Sequence, residues 1–418
     1  MHAIEKIMAR AAGLKSVKTG EIVSCAVDRA GINDLYLQTK RSFFEMGGKK
    51  VAAPEKVVMF LDHYSPASTV SQATVQKEFR EFCADQKIGH LMDVNRGVCH
   101  QVLIDSGLSG PGKVIIITDS HTTTHGALGA FATGVGATDL ATILLTGKLW
   151  FRVPEIMRFT LNGAIPKGVY SKDIILKLIG DYKADYAVYK AVEFRGPAID
   201  AMSVSERLCL CNMTTEMGAK TAYIQPDRKT FEYLAARGTK VNPEDVFTTD
   251  PDFTYAADHT VDVSEFSAQV AAPFSVDNVY PLSRFAEKHV DQAYIGACTG
   301  GRLEDIAEAA RVVRGKKVPE GTRFIVSPAS RETLLAAIEK GYITTLVEAG
   351  ATLVTPGCAA CLGIHEGTIA EGETCISSTN RNFPGRMGHL KGEVFLASPA
   401  SVAASAVNGV ITDPAPYL

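Results

Sequence analysis

The chain has 418 residues, 46% of them hydrophobic, 21% charged and 8% aromatic, which excludes a disordered, collagenous or small disulfide-framed protein. At roughly 150 residues per domain the length predicts about three domains, because a single core stops growing near ~250–300 residues. Lys+Arg is 43 and Asp+Glu is 46, so the net charge is −3 and no basic excess points to nucleic acid.

In chain order, a helix is expected over 4–11, a strand over 22–27 and another over 57–61, ending at Asp62-His63. A helix follows over 70–85, then a strand over 114–118 that runs into Asp119-Ser120-His121. The next periodic run predicts a helix over 127–146. The glycines 126, 129, 134 and 136 at its start do not form a dinucleotide fingerprint, and close backbone packing explains them better. Helices are expected over 171–179 and 203–217, and a loop-like Asp-rich stretch over 248–260. The last third predicts strands over 294–297, 324–326, 352–355, 374–378 and 394–397, with helices over 303–314, 331–340 and 401–407. β-Branched runs alternating with helical patterns indicate an α/β fold. Three α/β domains are expected, at 1–152, 153–262 and 263–418.

No secretory core or membrane span is visible. Glu5 and Lys6 come too early for the former, and the uncharged stretch 394–412 is too polar for the latter. The expected location is the cytoplasm. Nine cysteines without a signal favour reduced thiols, and six of them sit in apolar or mixed runs as small buried hydrophobes.

The remaining three differ. Cys358 and Cys361 form a C-x-x-C in a Gly/Pro loop, and Cys298 lies in another Gly-bounded turn. Three thiolates can hold a metal or cluster with one coordination position open, as a substrate-binding Lewis acid needs. A redox pair, or a zinc site completed by histidine, fits the spacing equally. Polar groups collect after five predicted strands, where open α/β sheets bind ligands. Among them are Asp62, His63, Asp119, Ser120 and His121, with His100 and Glu216 in other segments. A carboxylate accepting an imidazole N–H makes a tuned acid or base. Arg381 and Arg386 flank a tight Asn-Phe-Pro-Gly turn and predict a di- or tricarboxylate ligand.

Five segments together resemble the large subunit of aconitase-type hydro-lyases, in the isopropylmalate dehydratase and homoaconitase branch. They are TDSHTTTHGALGAFATGVGATD at 118–139, LCNMTTEMGA at 210–219, IGACTGGRLEDI at 295–306, TPGCAACLG at 355–363 and STNRNFPGRMG at 378–388. The resemblance implies an aconitase-like α/β fold of three domains around a central cleft. It also implies that Cys298, Cys358 and Cys361 ligate one [4Fe–4S] cluster. Asp62-His63, Asp119 with His100, and Glu216 with His121 become histidine–carboxylate pairs, with His63 the candidate to protonate the departing hydroxyl. Ser120, Asn212, Asn380, Arg381 and Arg386 become substrate contacts.

In this family a further proton is taken by a serine on a swivelling domain. The chain stops at Leu418 without one, so a separate small subunit is the expected partner, with no nucleic acid and no membrane. The implied reaction is interconversion of 2- and 3-isopropylmalate in leucine biosynthesis. Homoaconitase or a 2,3-dimethylmalate/maleate-type hydratase is the alternative, and an RNA-binding apo form is the alternative outside catalysis. Three departures bear on the substrate. Asn33 stands where a histidine usually precedes the aspartate, the cysteine loop reads Cys-Ala-Ala-Cys, and Cys298 is followed by Thr-Gly-Gly.

Overall fold

The computed structural model describes residues 1–358 and 360–418. The strands are, in order, β1 (Ile22–Ala26), β2 (Arg29–Asn33), β3 (Val57–Phe60), β4 (His90–Met92), β5 (Val114–Ile117), β6 (Phe131–Gly134), β7 (Lys148–Arg152), β8 (Ile156–Asn162) and β9 (Ala191–Arg195). They continue as β10 (Thr221–Tyr223), β11 (Ala257–Asp262), β12 (Gln269–Ala271), β13 (Val279–Pro281), β14 (Gln292–Ile295), β15 (Arg323–Val326), β16 (Ala351–Leu353), β17 (Thr374–Ser377) and β18 (Glu393–Leu396).

Three larger sheets result. The first is parallel, in the order β4-β3-β2-β5-β6. The second is parallel, β10-β9-β8-β11. The third runs β13-β12-β18-β17-β14-β15-β16, parallel except where β12 meets its two neighbours. β1 and β7 form a separate antiparallel ribbon. Strands covered on both faces carry unbroken apolar runs. Val-Val-Met-Phe in β3 and Val-Ile-Ile-Ile in β5 are buried at every position.

Connectivity positions the site. In the first sheet the strand order reverses between β2 and β5, and in the third between β14 and β17. Such switch points open a crevice beyond the carboxyl ends of the strands. Asn33 ends β2, and Asp119 follows β5; Cys298 follows β14, and Asn380 follows β17. The second sheet contributes through the helix Val204–Met213 and the 3-10 turn Thr214–Met217 that carries Glu216.

Several expectations need correction. The helix expected over 127–146 is a 3-10 segment to Leu128, then β6, then a helix only over Ala137–Thr146. Gly129 ends the first piece at φ +77°, a conformation that glycine adopts without a Cβ clash. Gly126 and Gly134 are there for contact, since a Cβ would lie 2.1 Å from Ala222 O and 2.4 Å from Asp119 O. The stretch 248–260 is not all loop, because β11 starts at Ala257 and pairs with β8. The helix expected over 203–217 gives way to the 3-10 turn at Thr214. No helix among the described residues is long and apolar enough to cross a membrane.

Candidate active site

One cavity is lined by His63, His100, Asp119, Ser120, His121, Cys298, Cys358, Cys361, Asn380, Arg381 and Arg386. Asp62, Asn212 and Glu216 stand behind this surface and hold members of it.

Asp62 follows β3 and is buried. Its Oδ1 lies 2.9 Å from His63 Nδ1, and its Oδ2 accepts the Cys99 N–H at 2.9 Å. Asp34 accepts the backbone N–H groups of His63 and Tyr64 at 2.9 and 3.0 Å. Burial opposes a charge on His63, but Asp62, with Asp34 and Asp119 beyond it, raises its pKa to about 9. At neutral pH the ring is therefore an imidazolium, with Nε2 left to serve the cavity. Burial and the repulsion of Asp62 push Asp34 up to about 6.

Asp119 caps the turn that opens at Ser120, accepting the His121 N–H at 2.8 Å. The same Oδ1 lies 3.0 Å from His100 Nε2. Burial would raise this carboxyl, yet His100 and His121 hold it well below its ordinary range. His121 Nε2 lies 2.8 Å from Glu216 Oε1, which also accepts Arg381 Nε–H at 2.8 Å. Against the opposing effect of burial, these two partners lower the Glu216 pKa. One carboxylate thus aims an imidazole and a guanidinium together.

The three cysteines are buried and reach the cavity from two loops. Cys298 accepts Asn212 Nδ2–H at 3.0 Å and Asn380 Nδ2–H at 3.4 Å, while Asn380 also donates to Asn212 Oδ1 at 2.6 Å. Arg386 Nη2 donates to Cys361 Sγ at 3.3 Å, and its Nε is buried without a partner among the described residues. The neighbouring Cys358 side chain, with Arg386 also beside it, draws the Cys361 thiol well below its usual range. Burial and Asp119 push Cys298 up to about 12. The donor set fits a thiolate-bound cluster: three sulfurs share one buried chamber, and those of Cys298 and Cys361 accept N–H groups, which stabilise sulfur charge. The backbone N–H of Cys358 donates to Asp62 O at 2.9 Å, tying the sulfur loop to the His63 segment.

Every residue singled out from the sequence lies in or directly behind this cavity. Sequence reasoning assigned no site role to Asn33, Asp34, Leu35, Tyr36, Val98, Thr118 or Leu362, six of which line the cavity. The signal for the first four was the end of β2, a strand hidden by its Gly31 and by Arg29 at its start. Leu362 and Val98 adjoin chemistry-bearing loops and carry no signal of their own.

The profile of the aconitase family (aconitate hydratase) matches residues 5–289 and 283–409. A 3-isopropylmalate dehydratase large subunit 1 of Methanopyrus kandleri is 50% identical over 416 residues, covering 99% of each chain. A probable methanogen homoaconitase large subunit of Methanothermobacter thermautotrophicus is 48% identical over 420 residues, covering 99% of this chain and 97% of its own. Among solved structures, Thermococcus kodakaraensis aconitase X in its holo form aligns with a TM-score of 0.53 at 13% identity. That alignment covers 91% of this chain and 90% of the other, a likeness of fold.

Proposed function

The chain belongs to the aconitase family, and from that premise we propose that it is the large subunit of a hydro-lyase acting on a 2-hydroxy di- or tricarboxylic acid. The first substrate is 3-isopropylmalate, interconverted with its 2-isomer in leucine biosynthesis. Three buried thiols sharing one cavity with three histidine–carboxylate pairs and two arginines carry the reading. The name "large subunit" on the relatives supports a small-subunit partner. We take 1–152, 153–262 and 263–418 as three domains, each holding one of the larger sheets.

Cys298, Cys358 and Cys361 would hold a [4Fe–4S] cluster. Bound there, the cluster supplies a Lewis acid that polarises a C–O bond. The chain's own residues do the rest. Arg386 and Arg381 bind carboxylate through their planar forks, and Glu216 fixes the orientation of Arg381. His63 delivers the proton from Nε2 to the departing hydroxyl, which leaves as water, and Asp62 keeps the ring aimed. Charge developing on the substrate carboxylate is met by the guanidiniums. The C–H proton goes to a base that we assign to the small subunit. Ser120, Asn212 and Asn380 position the ligand and the sulfur wall.

The test is oxygen-free reconstitution of the chain with iron and sulfide, followed by assembly with its small subunit. About four irons and four acid-labile sulfides per chain, with turnover of a hydroxy acid from a panel of isopropylmalate, homocitrate, dimethylmalate and citramalate, are the expected result. A zinc-bound protein without sulfide overturns it.

A further inference from the structure

Lys172 is the second residue of the helix Ser171–Tyr182, and it is only 1% exposed. A buried ammonium is costly unless an anion meets it. Arg207, equally buried, follows that rule, since its guanidinium meets the Asp227 carboxylate at 2.6 Å. Lys172 does not. Its Nζ donates to Thr379 O at 2.6 Å and to Ser378 O at 3.3 Å, and it approaches Met213 Sδ at 3.7 Å. Two carbonyls and a thioether carry no net charge.

The place of this ammonium shows what could balance it. Ser378 and Thr379 immediately precede Asn380 and Arg381, and Asn380 donates to Cys298. Met213 follows Asn212, the other N–H donor to Cys298. Nζ therefore stands behind both residues that hold the Cys298 sulfur. Two carboxyls feel it, Asp173 and Asp305, but burial pushes both up to about 7, so neither is a full counter-charge at neutral pH. Burial lowers the pKa of Lys172 itself, and Cys209, Cys298, Cys361 and Glu216 oppose that. Of these four, Cys209 is kept a thiol by its own burial. Glu216 is already shared between His121 and Arg381. The sulfurs of the candidate centre remain.

We propose that Lys172 is the buried counter-charge of the sulfur centre, and that its ammonium favours the more negative of the oxidation states open to a cluster held there. This rests on the hydro-lyase reading and adds to it a residue from outside the cavity. Lys172 is a positioning residue, since it touches neither the substrate nor the reacting atoms. A charge without a contacting partner acts at a distance where the dielectric is low. Net charge is also among the factors that set the potential of an iron–sulfur cluster.

The experiment uses the complex reconstituted with its small subunit, without oxygen, and follows one-electron reduction of the cluster by electron paramagnetic resonance. Lys172→Met keeps most of the stem and removes the charge. Its midpoint potential should fall, with the reduction equilibrium weakened by about tenfold, or ~59 mV for one electron. Lys172→Arg keeps the charge and should stay within about threefold of the parent. Iron and sulfide contents are measured on every variant, so that a lost cluster is not read as a shifted one. Should Lys172→Met fail to fold, Lys172→Gln, which keeps an N–H donor and loses the charge, decides by the same potential. An unchanged potential in a charge-free variant with a full cluster overturns the proposal, as does an arginine variant shifted as far as the methionine one. Either result makes Lys172 a structural staple and leaves the hydro-lyase reading standing. A parent complex that takes up no iron and sulfide overturns both.

Discussion

The wall of the cavity built on the first sheet carries His63, His100 and His121, with ring nitrogens 2.9, 3.0 and 2.8 Å from carboxylate oxygens. The wall built on the third sheet carries Cys298 and Cys361, whose sulfurs meet side-chain N–H donors. The first wall is paired within itself, since each of these imidazoles meets a carboxylate oxygen and each of those carboxylates has further partners. The second sets N–H donors against its sulfurs, an arrangement that a bound cluster would complete. The imidazoles are thus oriented by partners of this chain alone, while the sulfur wall offers donors to a further group.

That contrast can be broken at either wall. The largest effect is expected from Cys298→Ser. Iron and sulfide should fall below stoichiometry and turnover should drop by about 10³-fold or more, while the circular dichroism spectrum stays that of the parent. Next comes His63→Asn, with kcat lower by roughly 10²–10⁴-fold and full iron and sulfide content. A variant on the histidine wall that empties the cluster would erase the distinction. Arg381→Lys keeps the charge but loses the fork held by Glu216, and should raise KM by about 10-fold, read from steady-state kinetics.

The smallest effect concerns pH. The folded-state pKa of His63 is raised to about 9, above its unfolded value near ~6.5. Its contribution to stability is complete below that unfolded value and is lost as pH rises through about 9. Denaturant titrations of the chain between pH 6 and 10 should show this decline, and Asp62→Asn should flatten it.

Much of this was legible before any coordinates. The strands before Asp62, Asp119, Cys298 and Asn380 announce themselves by apolar runs that stop at polar clusters, and those stops border the candidate site. Asp62, Asn212 and Glu216 could be picked out as candidates, but not that they stand one layer behind the cavity surface, because depth depends on packing between sheets. β2 was hidden because Gly31 interrupts its pattern, and Asp34 was hidden with it. The glycine-punctuated stretch misled in type. Its apolar period suits a helix, but Gly126 and Gly134 are spent on backbone contacts at Ala222 and Asp119 that a continuous helix cannot make.

The bond from the Cys358 amide to the Asp62 carbonyl makes the two walls share one tolerance. Slack in the loop that carries Cys358 is transmitted through a single peptide to Asp62, which holds the His63 ring. A change made in one of these loops is thereby felt at the residue that anchors the other.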